Sequence, residues 1–246
     1  MENKRERTFY EKYVKRVFDI VLSLIGIIVL SPLLIVVYIM SLLILKGNPI
    51  FAQNRPGKNG KIFKLYKFRS MTNKKDANGN LLPDKDRLTK YGKFLRKLSI
   101  DELPQLFNIL KGDMSIVGPR PRLVKDMIFY EEYVFRAYSV RPGLTGLCQV
   151  SGARGDSSWE EIFGYDLKYV NKITFWGDVK IIFKTVGVVL KTRNATSGDG
   201  GIKRDYYYAD YLLKEHKITK EQYDSGIKRS NELMEDDLVE YTENLH

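Results

Sequence analysis

Two residue types that carry much enzyme chemistry are almost missing from this 246-residue chain. Cys148 is the only cysteine, which excludes an intramolecular disulfide and a thiolate metal cluster. His216 and His246 are the only histidines, and residues 1–202 hold none. Histidine triads and histidine metal sites are therefore excluded there. Chemistry in that body must use carboxylates, Lys, Arg, Tyr, Ser or a metal. Acids are missing too from residues 46–75, a stretch that carries nine Lys and Arg.

The chain is long enough for one domain with a sizeable core, or one domain plus a small appendage. Its net charge of +11 is unevenly spread. Residues 203–246 hold 7 basic and 11 acidic residues, so residues 1–202 carry +15 and the tail −4. A basic body of this kind suits a polyanion: nucleic acid, an anionic membrane surface or a phosphorylated substrate.

The one long apolar run, Ile20 to Leu45, has 26 residues without a charge. At about 1.5 Å per residue a helix of that length can cross a hydrocarbon core of roughly 30 Å. It is too long for a cleavable signal peptide, and no small-residue cleavage pattern follows. Ser31-Pro32 sits near its centre, where proline removes a backbone donor and disfavours helical geometry in the residue before it. Both flanks are basic, and basic residues prefer the cytoplasmic side. This favours a helix-break-helix hairpin dipping into one leaflet. A kinked spanning helix is the alternative that the run alone leaves open.

Beyond the run, residues 49–70 read as a β-hairpin around the turn-rich "PGKNG", and 72–86 as a surface loop. "RLTKYGKFLRKL" has the period of a basic amphipathic helix, with Lys90, Lys93 and Lys97 on one face. One helix is expected over about 123–136, and another over "SSWEEIFGYDLKYVNK" from a Ser cap. "TFWGDVKIIFKTVGVVLKTR" suits a helix in a membrane interface, with Lys180, Lys184 and Lys191 reaching headgroups, or a core helix with snorkelling lysines. The fold class is α+β, mostly helical. Its parts are an N-terminal segment with the membrane helix over 1–47, a cytosolic body over 48–202 and an acidic tail over 203–246. The tyrosine-rich "DYYYADYLL" of the tail suits packing on the body or on a second copy in a homodimer.

The chemistry concentrates at "SIDELPQL", residues 99–106. Pro104 fits only the first turn of a helix, so the helix starts close to Asp101. Ser99 with Glu102 has capping-box spacing, and Asp101 is itself a capping residue type. Both carboxylates then sit at a positive helix end, which attracts phosphate. An acidic first turn is also what many plain helices have. The neighbours add weight: Arg120 and Arg122 stand on a stiff Pro-rich loop, Lys67 and Arg69 on the hairpin, and Arg96 five residues before Asp101. An ionised acid pair among fixed cations suits Mg2+ with a diphosphate.

These residues carry a resemblance. "KRVFDI", the central "SP", "QNRPGKNGKIFKLYKFRSM", "LTKYGKFLRKLSIDELPQLFNILKGDMSIVGPRPRL", "VRPGLTGLCQVSG" and "SWEEIFGYDLKYV" occur in order over about residues 12–193. In this the chain resembles the bacterial sugar transferases, small monotopic phosphoglycosyl transferases. The resemblance implies a re-entrant helix broken at Ser31 and Pro32, with both ends on the cytoplasmic face of the bacterial inner membrane. It implies that Asp101 attacks the β-phosphate of a UDP-sugar, UMP leaves, and polyprenyl (undecaprenyl) phosphate takes the phosphosugar. Glu102 is then the partner carboxylate acting with Mg2+, and Lys67, Arg96 and Arg120 serve phosphate binding or site organisation. "VSGARGDSSW" stands where many relatives read "VNGRN" and a short link, so the sugar does not carry over by analogy. A reading of another class is a membrane-tethered polyanion-binding protein without catalysis, although no nucleic-acid-binding signature appears.

Overall fold

A computed structural model describes residues 6–152, 157–194 and 207–235. A π-helical turn, Tyr10–Val14, runs into α1, Lys15–Leu45. One stripe of α1 is buried against the body: Lys15, Asp19 and Ser23 near its start, Val37, Ser41 and Leu45 near its end. Between them Leu22, Ile27 and Leu30 pack on the core around Leu106 and Ile109, and Leu34 on Phe68 and Leu95. Gly26 lets the helix approach closely, since a Cβ there would meet Leu106 at 3.3 Å. The other face leaves Ile28, Val29, Ile35, Val36 and Leu43 exposed.

The helix runs unbroken through Ser31-Pro32, where the sequence reading expects a break. A proline inside a helix removes its own N–H bond and crowds the carbonyl four residues back, here that of Ile28. Ser31 Oγ donates to the Ile28 carbonyl at 2.8 Å in the turn before it.

The hairpin forms as expected. β1 (Ile50–Pro56) and β2 (Ile62–Phe68) pair antiparallel, with Phe51 opposite Lys67 and Arg55 opposite Phe63. Asn59 and Gly60, both at positive φ, make the turn. Phe63, Leu65 and Phe68 of β2 enter the core. After α2 (Asp84–Arg87), α3 (Lys90–Lys97) is capped by Thr89 Oγ1, which accepts from Gly92 N at 2.9 Å.

Gly92 lies so close to the Ser70 backbone that a Cβ would stand 1.8 Å from its carbonyl oxygen. Gly92→Ala is expected to lower stability by about 1–3 kcal/mol or more, as overpacking does. A melting temperature equal to the parent's would contradict this packing.

A 3₁₀ turn, Ile100–Glu102, leads into α4 (Gln105–Lys111), which ends at Gly112 with φ 106°. β3 (Ser115–Val117) pairs in parallel with β4 (Gly143–Thr145), and between them lie α5 (Val124–Met127) and α6 (Glu132–Phe135). The single helix expected over 123–136 is thus split. Glu131 is extended, with ψ 156°, and this allows Met127, Tyr130, Val134 and Tyr138 all to reach the core. α7 (Leu147–Val150), α8 (Trp159–Asn171) and α9 (Phe175–Asn194) follow. Ser158 caps α8 as expected, accepting from Glu161 N at 3.1 Å.

In the tail, α10 (Tyr208–Lys214) and α11 (Lys220–Glu235) pack on the body. Tyr208, Leu212 and Leu233 join the core with Val124, Met127 and Trp159. The altered segment Arg154-Gly155-Asp156 and the body–tail boundary at 202/203 lie outside the described residues.

Candidate active site

The 3₁₀ turn and β2 bring the acid pair to the hairpin. Ser99 closes α3 in the left-handed region, φ 54°, with its N–H donated to the Arg96 carbonyl at 3.1 Å. A residue that ends one helix this way is not placed to cap the next, and Ser99 makes no side-chain cap. The expected capping box with Glu102 is therefore not formed. Asp101 and Glu102 lie on the 3₁₀ turn instead, and Pro104 starts α4 at a position where its missing N–H costs nothing.

Glu102 and its cations form a tight cluster. Lys67 Nζ donates to Glu102 Oε1 at 2.7 Å, and the Arg120 guanidinium donates to the same oxygen at 3.1 Å. Burial pushes the Glu102 carboxyl up, but Arg120 and Lys67 outweigh it and hold it at about 2. Its charge contributes stability above the ordinary value of 4.5, and that contribution is lost as the pH falls towards about 2. Burial pulls the Lys67 ammonium below its usual value against the pull of Glu102.

Asp101 differs from its neighbour. It is buried, and no described cation pairs with it. Burial and then the Glu102 charge push its carboxyl above the ordinary value of 3.8, while Lys67 and Arg96 pull it down. The two adjacent acids are thus driven apart: one is locked as a carboxylate in ion pairs, the other is more basic and unpaired. That separation marks a pair with different tasks.

Arg96 donates from Nε to Ser70 Oγ at 2.9 Å and acts on Asp101 through its charge. The acid limb of a rate profile that needs ionised Asp101 is expected above pH 3.8. Arg96→Gln removes a cation that lowers the Asp101 value, so it should move that limb to higher pH. A limb that stays in place, or moves down, would contradict the assignment.

The cluster opens on a small cleft walled by Arg55, Leu65, Lys67, Glu102, Gln105, Arg120, Pro121, Gly143 and Leu144. Arg120 stands on the loop after β3. Gly118 in that loop packs so tightly on Gly143 that neither position has room for a Cβ. Of the other cations singled out in the sequence, Arg122 turns away to Asp166 at 2.8 Å and lies over Trp159 and Phe163. Arg69 covers Gly47 instead of facing the acids. Arg55 and Gln105 line the cleft but carried no sequence signal that set them apart. Arg55 was one cation in a long basic stretch.

The two carboxylates fit Mg2+ in number, since that ion takes one or two together with substrate phosphates. Among the described residues no group of three His, Cys, Asp or Glu forms a protein-only cage. The cleft thus offers fixed cations suited to phosphate oxygens, and Asp101, which is not among its walls, precedes Glu102 on the same 3₁₀ turn.

Comparison with known proteins agrees with that chemistry. The family described as bacterial sugar transferase matches residues 10–192. The uncharacterized sugar transferase EpsL of Bacillus subtilis (strain 168) is 48% identical over 179 residues, covering 72% of this chain and 87% of that protein. The undecaprenyl-phosphate galactose phosphotransferase of Salmonella typhimurium is 42% identical over 202 residues, covering 75% of this chain and 42% of its own length. The UDP-glucose:undecaprenyl-phosphate glucose-1-phosphate transferase of Klebsiella pneumoniae is 43% identical over 182 residues, covering 70% of this chain and 39% of its own. This chain thus spans less than half the length of the last two proteins. With the matched region running from the turn before α1 to the end of α9 and enclosing the whole acid–cation cluster, the chain belongs to the bacterial sugar transferase family.

Proposed function

We propose that the chain transfers a phosphosugar from a UDP-sugar to polyprenyl phosphate, in the form of undecaprenyl phosphate, at the cytoplasmic face of a bacterial inner membrane. The observation that carries this reading is the divided acid pair: Glu102 held ionised by Lys67 and Arg120, and Asp101 buried beside it without a cation. Relatives whose names give sugar phosphate and undecaprenyl phosphate support the substrate classes.

In the first step an Asp101 carboxylate oxygen attacks the β-phosphorus. The bond from that phosphorus to the bridging oxygen breaks, and UMP leaves with the electron pair. Lys67 and Arg120 stabilise the charge that develops on the phosphate oxygens. In the second step an oxygen of polyprenyl phosphate attacks the same phosphorus, the aspartyl–phosphorus bond breaks, and the Asp101 carboxylate returns. A carboxylate nucleophile divides one hard displacement into two easier ones and needs no histidine. Mg2+, held by Asp101 and Glu102 with the substrate phosphates, would supply further charge neutralisation there.

The membrane reading draws on α1. The described residues hold one helix long and apolar enough to cross a membrane, Tyr10–Leu45. Near its start Lys15 Nζ bonds the Val117 carbonyl, and near its end Ser41 Oγ bonds the Tyr91 hydroxyl. Both ends are thus tied to the same body, which argues against a span with ends on opposite sides; a re-entrant course would require α1, continuous in this structure, to bend at Ser31 and Pro32. Exposed apolar side chains on neighbouring helices, Phe94, Phe107, Trp176 and Phe183, suit an interface beside Lys180 and Lys184.

Chain held in nanodiscs with Mg2+ and undecaprenyl phosphate is expected to release UMP from at least one sugar in a UDP-sugar panel. No UMP from any sugar, with steeply salt-dependent binding to arbitrary nucleic acid, would favour the non-catalytic polyanion binder instead. For topology, Lys4→Cys and Lys58→Cys should label from the same side in intact cells. Native Cys148 is buried with its thiol pushed up to about 11, so it stays quiet. Labelling from opposite sides would sink the re-entrant reading.

A further inference from the structure

Arg55 is the one cation in the wall of the cleft with no role so far. It lies at the end of β1, next to Pro56 and opposite Phe63. Its guanidinium donates to Gln53 Oε1 at 2.7 Å and, at the limit of bonding distance, to the Pro121 carbonyl at 3.4 Å. Its Nε is enclosed and has no partner. No described carboxylate forms an ion pair with it; the strongest charge acting on it is another cation, Arg120, and the carboxylate Asp126 acts on it more weakly without pairing. Burial and that neighbour bring its value down to about 10, so it stays protonated at neutral pH.

An enclosed cation with only neutral partners is costly unless an anion joins it. The charges of the cleft point the same way. Its walls carry Arg55, Lys67 and Arg120 against the single acid Glu102. Glu102 already takes both Lys67 and Arg120 on one oxygen, whereas Arg55 bonds only neutral oxygens, those of Gln53 and Pro121. The surplus positive charge matches a diphosphate diester, and guanidinium offers a planar fork for phosphate oxygens.

We propose that Arg55 is a phosphate-binding residue of the cleft, its free Nε and fork reserved for substrate phosphate oxygens. The assignment rests on the transferase reading above and extends it. The phosphate belongs either to the nucleotide-sugar donor or to the lipid acceptor, and kinetics separates the two. On this proposal Arg55 holds phosphate equally in the ground and transition states, so it contributes to binding rather than to the chemical step.

The test uses the full chain in nanodiscs, with Arg55→Gln and Arg55→Lys. Loss of a charge-assisted phosphate bond is expected to raise one substrate's KM about 10- to 100-fold, with kcat changed less than about threefold. Arg55→Lys should fall between parent and Arg55→Gln. A rise in donor KM assigns the diphosphate, and a rise in acceptor KM assigns the lipid phosphate. Unchanged values for both overturn the proposal. A second readout needs no turnover: inorganic pyrophosphate should raise the parent's melting temperature, and Arg55→Gln should lose most of that rise. Without pyrophosphate, Arg55→Gln should melt at or above the parent, because an uncompensated buried charge has gone. A lower melting point with the pyrophosphate response intact would make Arg55 structural and overturn the proposal. If the parent released no UMP yet its pyrophosphate response depended on Arg55, the binding site would stand and the transferase reading would fall.

Discussion

Asp101→Asn is expected to cut phosphosugar transfer at least about 10⁴-fold, the scale on which enzymes lose activity when a nucleophile is removed. The carboxamide has nearly the shape of the carboxylate but cannot form the acyl phosphate. Because no described cation pairs with Asp101, the substitution breaks no ion pair. It also relieves the repulsion between Asp101 and Glu102. The variant should therefore fold and melt at or above the parent temperature while being inactive. That combination separates a nucleophile from a structural acid. Glu102→Gln provides the contrast, since it leaves Lys67 and Arg120 without their carboxylate and should cost both activity and stability. Activity of Asp101→Asn within tenfold of the parent would remove Asp101 from the reaction.

The second large effect lies away from the cleft. Asp178 is fully buried on α9 and accepts from Lys15 Nζ at 2.6 Å and Tyr10 Oη at 2.7 Å. Tyr169 Oη lies 2.9 Å from its other oxygen and 3.0 Å from the Val117 carbonyl. Lys15 also reaches that carbonyl, at 3.0 Å. One carboxylate therefore ties the start of α1, α8 and α9 to β3. Asp19 adds a second tie, accepting from Ser115 Oγ and Ile116 N at 2.9 Å each. Asp178→Ala strands a buried ammonium, which costs about 3–5 kcal/mol. In a chain of this size that is a fall of roughly 10 °C in melting temperature. Since β3 leads directly to the Arg120 loop, kcat should fall as well. A drop of less than about 2 °C would show that the buried pair is not an anchor.

How far the sequence foretold these features depends on the range of the interaction involved. The hairpin and the Ser158 cap were legible because turn and cap residues act within a few positions. The acid pair with Lys67 and Arg120 was legible only as a set of residue types, and the fold then brought those four together. Arg96 reached Asp101 only through its charge. Ser99 misled because its spacing to Glu102 suits a cap, whereas ending α3 forced it into the left-handed region. Residues 123–136 misled because the demands of the core outweighed local helical preference at Glu131. Ser31-Pro32 reads as a break in isolation, yet packing of α1 on both sides of it keeps the helix continuous. The Lys15–Asp178 and Arg122–Asp166 pairs, 163 and 44 residues apart, have no local signature at all. Spacing arguments cannot find such contacts.

The central claim is a covalent bond between Asp101 and the phosphosugar, and intact mass tests it most directly. The parent chain, held in nanodiscs with Mg2+ and the UDP-sugar it uses but no lipid acceptor, should gain the mass of one phosphosugar and release an equal amount of UMP. Addition of undecaprenyl phosphate should return the mass to its starting value. An unchanged mass throughout, in a preparation that turns over once lipid is added, would contradict the two-step route and point to direct transfer.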